Sequence, residues 1–233
     1  VAGYEAAIGR LPAGVALSNG RGIHDPAVAE WVLAVTLATR RSLPELAALQ
    51  DSHTWSPWFS GSLFDATVLI VGYGSIGHTV ERLMSPFSPT ILRVSKSPHD
   101  GTSPVSDLPQ LIGLADVVVV LLPDTLDTRG LFDREMMARM KDGALLVNAG
   151  RGSAVSVDAL VDELQSGRIR AALDVTEAEP LPAGSELWDA PGVIITPHIA
   201  SNASGKDERI ARFIVSQLRR LSTGEPLQNL VAP

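Results

Sequence analysis

Apolar and polar positions divide the chain into a helical opening, an aperiodic bridge, and a long stretch where short apolar runs alternate with amphipathic ones. From His24 to about Leu49 the apolar residues of AVAEWVLAVTLATRRSLPELAALQ recur at helical spacing, which predicts a long helix with Pro26 in its first turn. Pro44 lacks an amide donor and clashes with the preceding turn, so a kink or a second helical piece is expected there. The segment DSHTWSPWFSGS has no period and is rich in Ser, Pro and Gly, as a linker between domains would be. Its Trp55 and Trp58 would line a cleft or pack at a hinge.

Beyond the linker, TVLIVG (67–72), TILRVS (90–95), DVVVVLLP (116–123), ALLVNAG (144–150), IRAALDV (169–175) and GVIITPH (192–198) read as strands. Between them IGHTVERLM, SDLPQLIGL, DREMMARM and VDALVDELQSG read as helices. A strand that is apolar at nearly every position has no face left for water, and helices between such strands supply the crossovers of a parallel sheet covered on both sides. The expected fold class is α/β: a doubly wound parallel sheet over residues 50–203. A last helix from about Ser204 to Thr223 ends at Gly224, a candidate C-cap, and could leave the sheet to pack with the N-terminal segment. Residues 1–49 and 204–233 are assigned accordingly to a second, smaller unit.

Charge and composition narrow the partners. The 233 residues are 45% hydrophobic and carry a formal net charge of −7, which leaves no basic footprint for nucleic acid. Cysteine is absent, so there is no disulfide framework or thiolate metal site, which fits a cytoplasmic protein. The apolar runs near Val68 and Val117 are too short to span a bilayer, so no membrane partner is expected. The chain opens on Val1 inside an ongoing αβ pattern, and upstream residues are expected to be missing.

Chemistry enters with GYGSIG, placed between a strand and a helix. Gly72 permits a tight turn, Gly74 a close approach of backbone to a pyrophosphate, and Gly77 close packing of helix on strand. The strand–turn–helix context favours dinucleotide binding over a merely structural turn. An acid ending the second strand would select NAD. Here that strand ends in Ser95 and Lys96 with Arg93 inside it, and the first acid beyond is Asp100. A hydroxyl beside a cation suits a 2′-phosphate, so NADP is preferred and NAD possible; the alternative is that Lys96 and Arg93 are simply solvated.

NAGRGS (148–153) sets an arginine between two glycines at the end of a buried strand. Either this is an ordinary loop, or Arg151 is aimed at an anion that the flanking glycines allow to approach. His24, His53, His78 and His99 have no metal-ligand spacing, so no metal is expected.

Taken in order, GYGSIG, LLPDTLDTRGLF, NAGRGSAV, AALDVTEAEPLP and ITPHIA resemble the D-isomer-specific 2-hydroxyacid dehydrogenases over nearly the whole chain, and NGRGIHDPAVAEWVLAVTLATRR resembles that family's long interdomain helix and preceding loop. The resemblance implies a Rossmann-like cofactor domain inserted into a smaller, flavodoxin-like substrate domain, here N-terminally incomplete. It implies Arg151, Glu179 and His198 as catalytic residues, and Asp174 as the contact to the nicotinamide carboxamide. Ser75 and Ile76 fall at the pyrophosphate, Ala149 and Gly150 near the nicotinamide, and Leu122, Pro123, Thr128 and Ala200 complete the cofactor site with Arg151 and His198. VAGYE at the start resembles a loop holding the substrate carboxylate, which puts Ala2 and Gly3 beside the substrate with Arg151 and His198.

The chemistry agrees with the resemblance. A guanidinium has five donors in a plane and can hold the carboxylate and the carbonyl of a 2-oxo acid together. Hydride addition leaves an oxygen that needs a proton, which His198 could supply with Glu179 favouring its charged form. The expected activity is reduction of a small 2-oxo acid, glyoxylate- or hydroxypyruvate-like, to the D-2-hydroxy acid. A homodimer is expected because the interdomain helix is apolar over much of its surface. The alternative is a dinucleotide-sensing, corepressor-like binding protein; a formate or phosphite dehydrogenase is a narrower one, though formate dehydrogenases place Gln where Glu179 stands.

Overall fold

The computed structural model describes residues 10–12, 14–98 and 101–231. A short strand β1 (Leu17–Ser18) precedes helices α1 (Asp25–Arg40) and α2 (Leu43–Asp51). The expected kink is a full break: Ser42 lies between the two helices at φ 53°, and Pro44 sits in the first turn of α2. After an irregular segment come β2 (Thr67–Val71), α3 (Ser75–Met84), β3 (Thr90–Val94), α4 (Leu108–Leu111), β4 (Val117–Val120), α5 (Arg134–Ala138), β5 (Leu145–Asn148), α6 (Val157–Gln165), β6 (Arg170–Leu173) and β7 (Val193–Ile195). Helix α7 (Lys206–Thr223) and strand β8 (Leu230–Val231) follow.

All pairings in the main sheet are parallel, in the order β3-β2-β4-β5-β6-β7. The chain steps outward from β2 to β3 and then returns across β2 to β4, which opens a crevice at the carboxyl ends where the winding reverses. The registers place Val94, Val71, Val120, Asn148, Leu173 and Ile195 in one row across the six strands. The residue after each, Ser95, Gly72, Leu121, Ala149, Asp174 and Thr196, therefore leaves the sheet along a single edge.

Side chains alternate between two cores, as the strand period of two requires. One face puts Leu69, Val71, Val118, Val120, Leu146 and Leu173 against Ile112, Phe132, Met137, Leu160 and Leu164. The other puts Val68, Ile70, Val117, Val119 and Val147 against Val28, Ala29, Val32 and Val35 of α1 and Val80 and Met84 of α3. Ala29 and Val32 are fully buried within the chain. The buried face of α1 is thus accounted for by the chain's own sheet, while Trp31, Leu33 and Leu37 of the same helix are half-buried within the chain.

Outside the main sheet, β1 pairs antiparallel with β8 through Leu17 and Val231. Helix α7 rests on this pair: Gln217 Nε2 donates to Ser18 Oγ at 2.7 Å and to the Gln228 carbonyl at 2.8 Å, and Arg209 Nε donates to the Ile23 carbonyl. Gly224, at φ 71°, ends α7 in the left-handed conformation expected of a C-cap glycine. Among the described residues no helix is long and apolar enough to cross a membrane.

Candidate active site

A cavity of about 830 Å³ runs along the carboxyl edge of the sheet. At its centre the glycine turn does three separable things. Gly72 takes φ +95°, and a Cβ there would sit 2.7 Å from the Leu121 carbonyl oxygen. A Cβ on Gly74 would meet nothing within 4 Å, so that position looks onto open space at the N-terminus of α3. Gly77 lies behind, where a Cβ would come within 3.2 Å of Ile70 and Tyr73. Gly72, Gly74, Ser75 and Ile76 line the cavity, and the free amides of the first turn of α3 suit a pyrophosphate.

Arg93 is neither solvated nor free for a phosphate. Its guanidinium grips Glu81 through Nε, at 2.7 Å, and Nη2, while the Tyr73 hydroxyl donates to the same carboxylate and the Tyr73 ring lies under the guanidinium. Arg93 holds the Glu81 carboxyl below the usual carboxylate range. The network ties the glycine turn and α3 to β3. Ser95 and Lys96 do reach the cavity, where Lys96 Nζ meets Asp127 Oδ2 at 2.8 Å. Thr128 folds its own turn by donating to the Pro123 carbonyl at 2.6 Å, and both line the same end with Leu122.

The turn carrying Arg151 is built by Asn148, which is fully buried: its Oδ1 accepts from the Gly150 amide at 3.0 Å and its Nδ2 donates to the Arg151 carbonyl at 3.1 Å. The flanking glycines have a different reason from the one expected. A Cβ on Gly150 would lie 2.6 Å from the Leu122 nitrogen, and one on Gly152 would lie 2.0 Å from the Thr176 carbonyl group. Neighbouring backbone, rather than a path for substrate, excludes side chains at both positions. Gly152→Ala is accordingly expected to destabilise the fold by about 1–3 kcal/mol or more, as overpacking does. An unchanged urea midpoint for that variant would contradict this packing.

Asp174, buried at the end of β6, organises the next strand end. Its Oδ1 accepts from Thr196 Oγ1 at 2.6 Å and the Ile199 amide at 2.8 Å, and its Oδ2 accepts from the Ala200 amide at 2.9 Å. A carboxylate has about four acceptor positions, so one is left towards the cavity, which Asp174 lines. The His198 amide donates to the Asp174 carbonyl at 2.8 Å, and the residue takes φ +54°. Its Nδ1 lies 2.7 Å from Glu179 Oε2, while Glu179 Oε1 accepts from the Thr176 amide at 3.2 Å. A carboxylate on Nδ1 fixes the ring and leaves Nε2 for other work.

Ala149, Gly150, Arg151, Asp174, His198 and Ala200 thus share one cavity with the glycine turn and Lys96. Glu179 joins them through His198. Ala2 and Gly3, and the acid Asp100, lie outside the described residues. Trp55 and Trp58 do neither thing expected of them: both are exposed and neither lines the cavity. Reading the sequence missed Asn148, Asp127, and the wall made by Asn19, Arg21 and His24. His24 is pushed below the usual imidazole range by burial, and by the nearby charges of Lys206 and Arg209. Among the described residues no three His, Asp or Glu side chains gather as a metal site would require.

Comparison with known proteins places this arrangement. Residues 33–200 match the sequence model described as "D-isomer specific 2-hydroxyacid dehydrogenase, NAD binding domain". The chain is 34% identical over 232 aligned residues to glyoxylate/hydroxypyruvate reductase B of Yersinia pestis (strain Pestoides F), covering 94% of this chain and 71% of that protein. It is similar in structure, at TM-score 0.85 and 33% identity, to a D-isomer-specific 2-hydroxyacid dehydrogenase from Xanthobacter autotrophicus Py2 in complex with NADPH and MES, with 100% of this chain and 98% of that one covered. An NADPH-dependent glyoxylate/hydroxypyruvate reductase from Sinorhizobium meliloti, in complex with NADP and sulfate, superposes at TM-score 0.84 with 31% identity over 95% of this chain and 72% of that one.

Proposed function

This chain belongs to the D-isomer-specific 2-hydroxyacid dehydrogenase family, and from that membership we propose that it reduces a small 2-oxo acid of the glyoxylate or hydroxypyruvate kind to the D-2-hydroxy acid, with NADPH preferred over NADH. It is an oxidoreductase of the nicotinamide-dinucleotide-dependent class. The observation that carries the reading is that Arg151 and a His198 held 2.7 Å from Glu179 line the same cavity as the glycine turn. The residues fit the cofactor: open space over Gly74, free amides at the start of α3, a cation at the end of β3 and no carboxylate directly after that strand. When bound, the reduced nicotinamide supplies a hydride to the carbonyl carbon.

The chain's own residues do the rest. Arg151 holds the carboxylate of the 2-oxo acid and draws charge onto the carbonyl oxygen. His198 delivers the proton that this oxygen needs, and Glu179 keeps the ring oriented and offsets its charge. Asp174 fixes the loop that carries His198 and offers its remaining acceptor position to the carboxamide. Residues 50–203 carry the cofactor with α1 packed on their sheet, and Asn19, Arg21 and His24 form the wall that faces the substrate. A dinucleotide sensor without turnover is not favoured, since relatives across the whole aligned length are named as reductases and dehydrogenases.

Initial rates of NADPH and NADH oxidation with glyoxylate, hydroxypyruvate, pyruvate and phenylpyruvate test the proposal. Turnover of at least one acid is expected, faster with NADPH at subsaturating cofactor. Tight dinucleotide binding with no turnover of any of the four would overturn the substrate assignment. A preference for NADH would overturn the reading of Lys96.

A further inference from the structure

The end of the cavity that would receive the adenosine ribose is lined by Ser95 and Lys96 after β3 and by Asp127 and Thr128 from the loop after β4. Lys96 is not waiting there as a free cation. Its Nζ is 2.8 Å from Asp127 Oδ2, a residue 31 positions away, so the pair bridges the two loops that flank this end of the cavity. Each partner favours the charged form of the other: Asp127 raises the ammonium of Lys96, and Lys96 lowers the carboxyl of Asp127. The second cation of this strand, Arg93, is committed to Glu81. Among the described residues at this end of the cavity, the cation for a 2′-phosphate is therefore one that already has an anionic partner.

We infer that Asp127 is a specificity-determining residue of the cofactor site, acting as an internal rival of the 2′-phosphate for Lys96. This rests on the cofactor reading given above. A cofactor without the 2′-phosphate leaves the Lys96–Asp127 pair intact and encounters no new charge. A cofactor with it must draw Lys96 away from Asp127, and its dianion then lies beside a carboxylate that the lysine no longer neutralises. Both effects penalise the phosphorylated cofactor alone. Asp127 thereby holds the discrimination set by Ser95 and Lys96 to a moderate value, so that the site accepts both dinucleotides.

Both side chains are largely exposed, at 80% and 72%, so water and salt weaken the competition and the effect is of modest size. Asp127→Asn removes the charge while keeping the side-chain shape. At low ionic strength it is expected to tighten NADPH binding roughly two- to fivefold, as the loss of a solvated ion pair allows, and to leave NADH binding within experimental error. The gain should shrink in a Lys96→Ala background, because the contested cation is gone, and it should fade as salt is raised.

Dissociation constants for NADPH and NADH, measured by nicotinamide fluorescence on the full chain and on the two single variants and the double variant, decide the matter. Unchanged or weaker NADPH binding in Asp127→Asn would overturn the inference, the weaker case showing that Asp127 positions Lys96 for the phosphate. Equal shifts for both cofactors would overturn it too, by showing a change in the loop rather than in charge. Failure of the cofactor reading looks different: the wild-type chain would bind neither dinucleotide.

Discussion

His198→Asn is expected to lower kcat for 2-oxo acid reduction by about 10²–10⁴-fold, the usual contribution of a positioned general acid, while dinucleotide affinity and fold stability stay close to wild type. Asparagine is chosen because His198 sits at φ +54°, in the left-handed region where Asn is among the best tolerated non-glycine residues. The loop is held through main-chain groups that the substitution keeps: the amide of residue 198 on the Asp174 carbonyl, and those of Ile199 and Ala200 on the Asp174 carboxylate. What is lost is the imidazole whose Nδ1 is fixed by Glu179 at 2.7 Å. An amide cannot donate a proton at neutral pH, so the alkoxide left by hydride addition must draw one from water. The variant's kcat, its cofactor dissociation constant and its urea midpoint together check this outcome. A kcat within threefold of wild type, in a variant that binds cofactor and folds normally, would remove His198 from the proton-transfer role.

Much of this arrangement can be read from local pattern. The apolar strands announce a parallel sheet because each is buried on both faces, and a parallel sheet puts whatever follows its strands along one edge. Gly72, Arg151, Asp174 and the segment leading to His198 each come immediately after, or within three residues of, a strand end. Their convergence is thus a consequence of topology and register. The motif order supplies Glu179, which no periodicity would single out.

Other features depend on contacts between loops distant in sequence. Strands β1 and β8 are two residues each and pair across more than 200 positions, so neither has a period to detect. Gly152 reads as a gap left for a ligand until the backbone at Thr176 is found in the space. Arg93 reads as a phosphate ligand until Glu81, on the preceding helix, is seen to hold it. Asn148 did give a signal, a polar residue ending a run of fully buried apolar ones, and a buried amide needs partners. Those partners are the two main-chain groups that shape the Arg151 turn.

That turn carries the second large expectation. Arg151→Gln should reduce kcat/KM by about 10²–10⁴-fold, because two charge-assisted hydrogen bonds at about 1.5–3 kcal/mol each are lost from the bound 2-oxo acid. The loss should divide between KM, through the carboxylate, and kcat, through the carbonyl oxygen whose developing charge the guanidinium meets. The turn itself should persist, since Asn148 bonds the main chain of Gly150 and Arg151 and not the side chain. One guanidinium nitrogen, Nη1, donates to the Gly150 carbonyl at 2.6 Å, which orients the plane and leaves the other donors to a ligand. Arg151→Lys separates charge from geometry. A lysine keeps the positive charge but offers a point in place of a fork, so it should recover substrate binding more than turnover and fall between Gln and wild type. If Lys matches wild type in kcat, the planar contact is not needed and the guanidinium serves only as a charge. If Gln matches it in kcat/KM, the anion that this turn is built to meet is held elsewhere in the cleft.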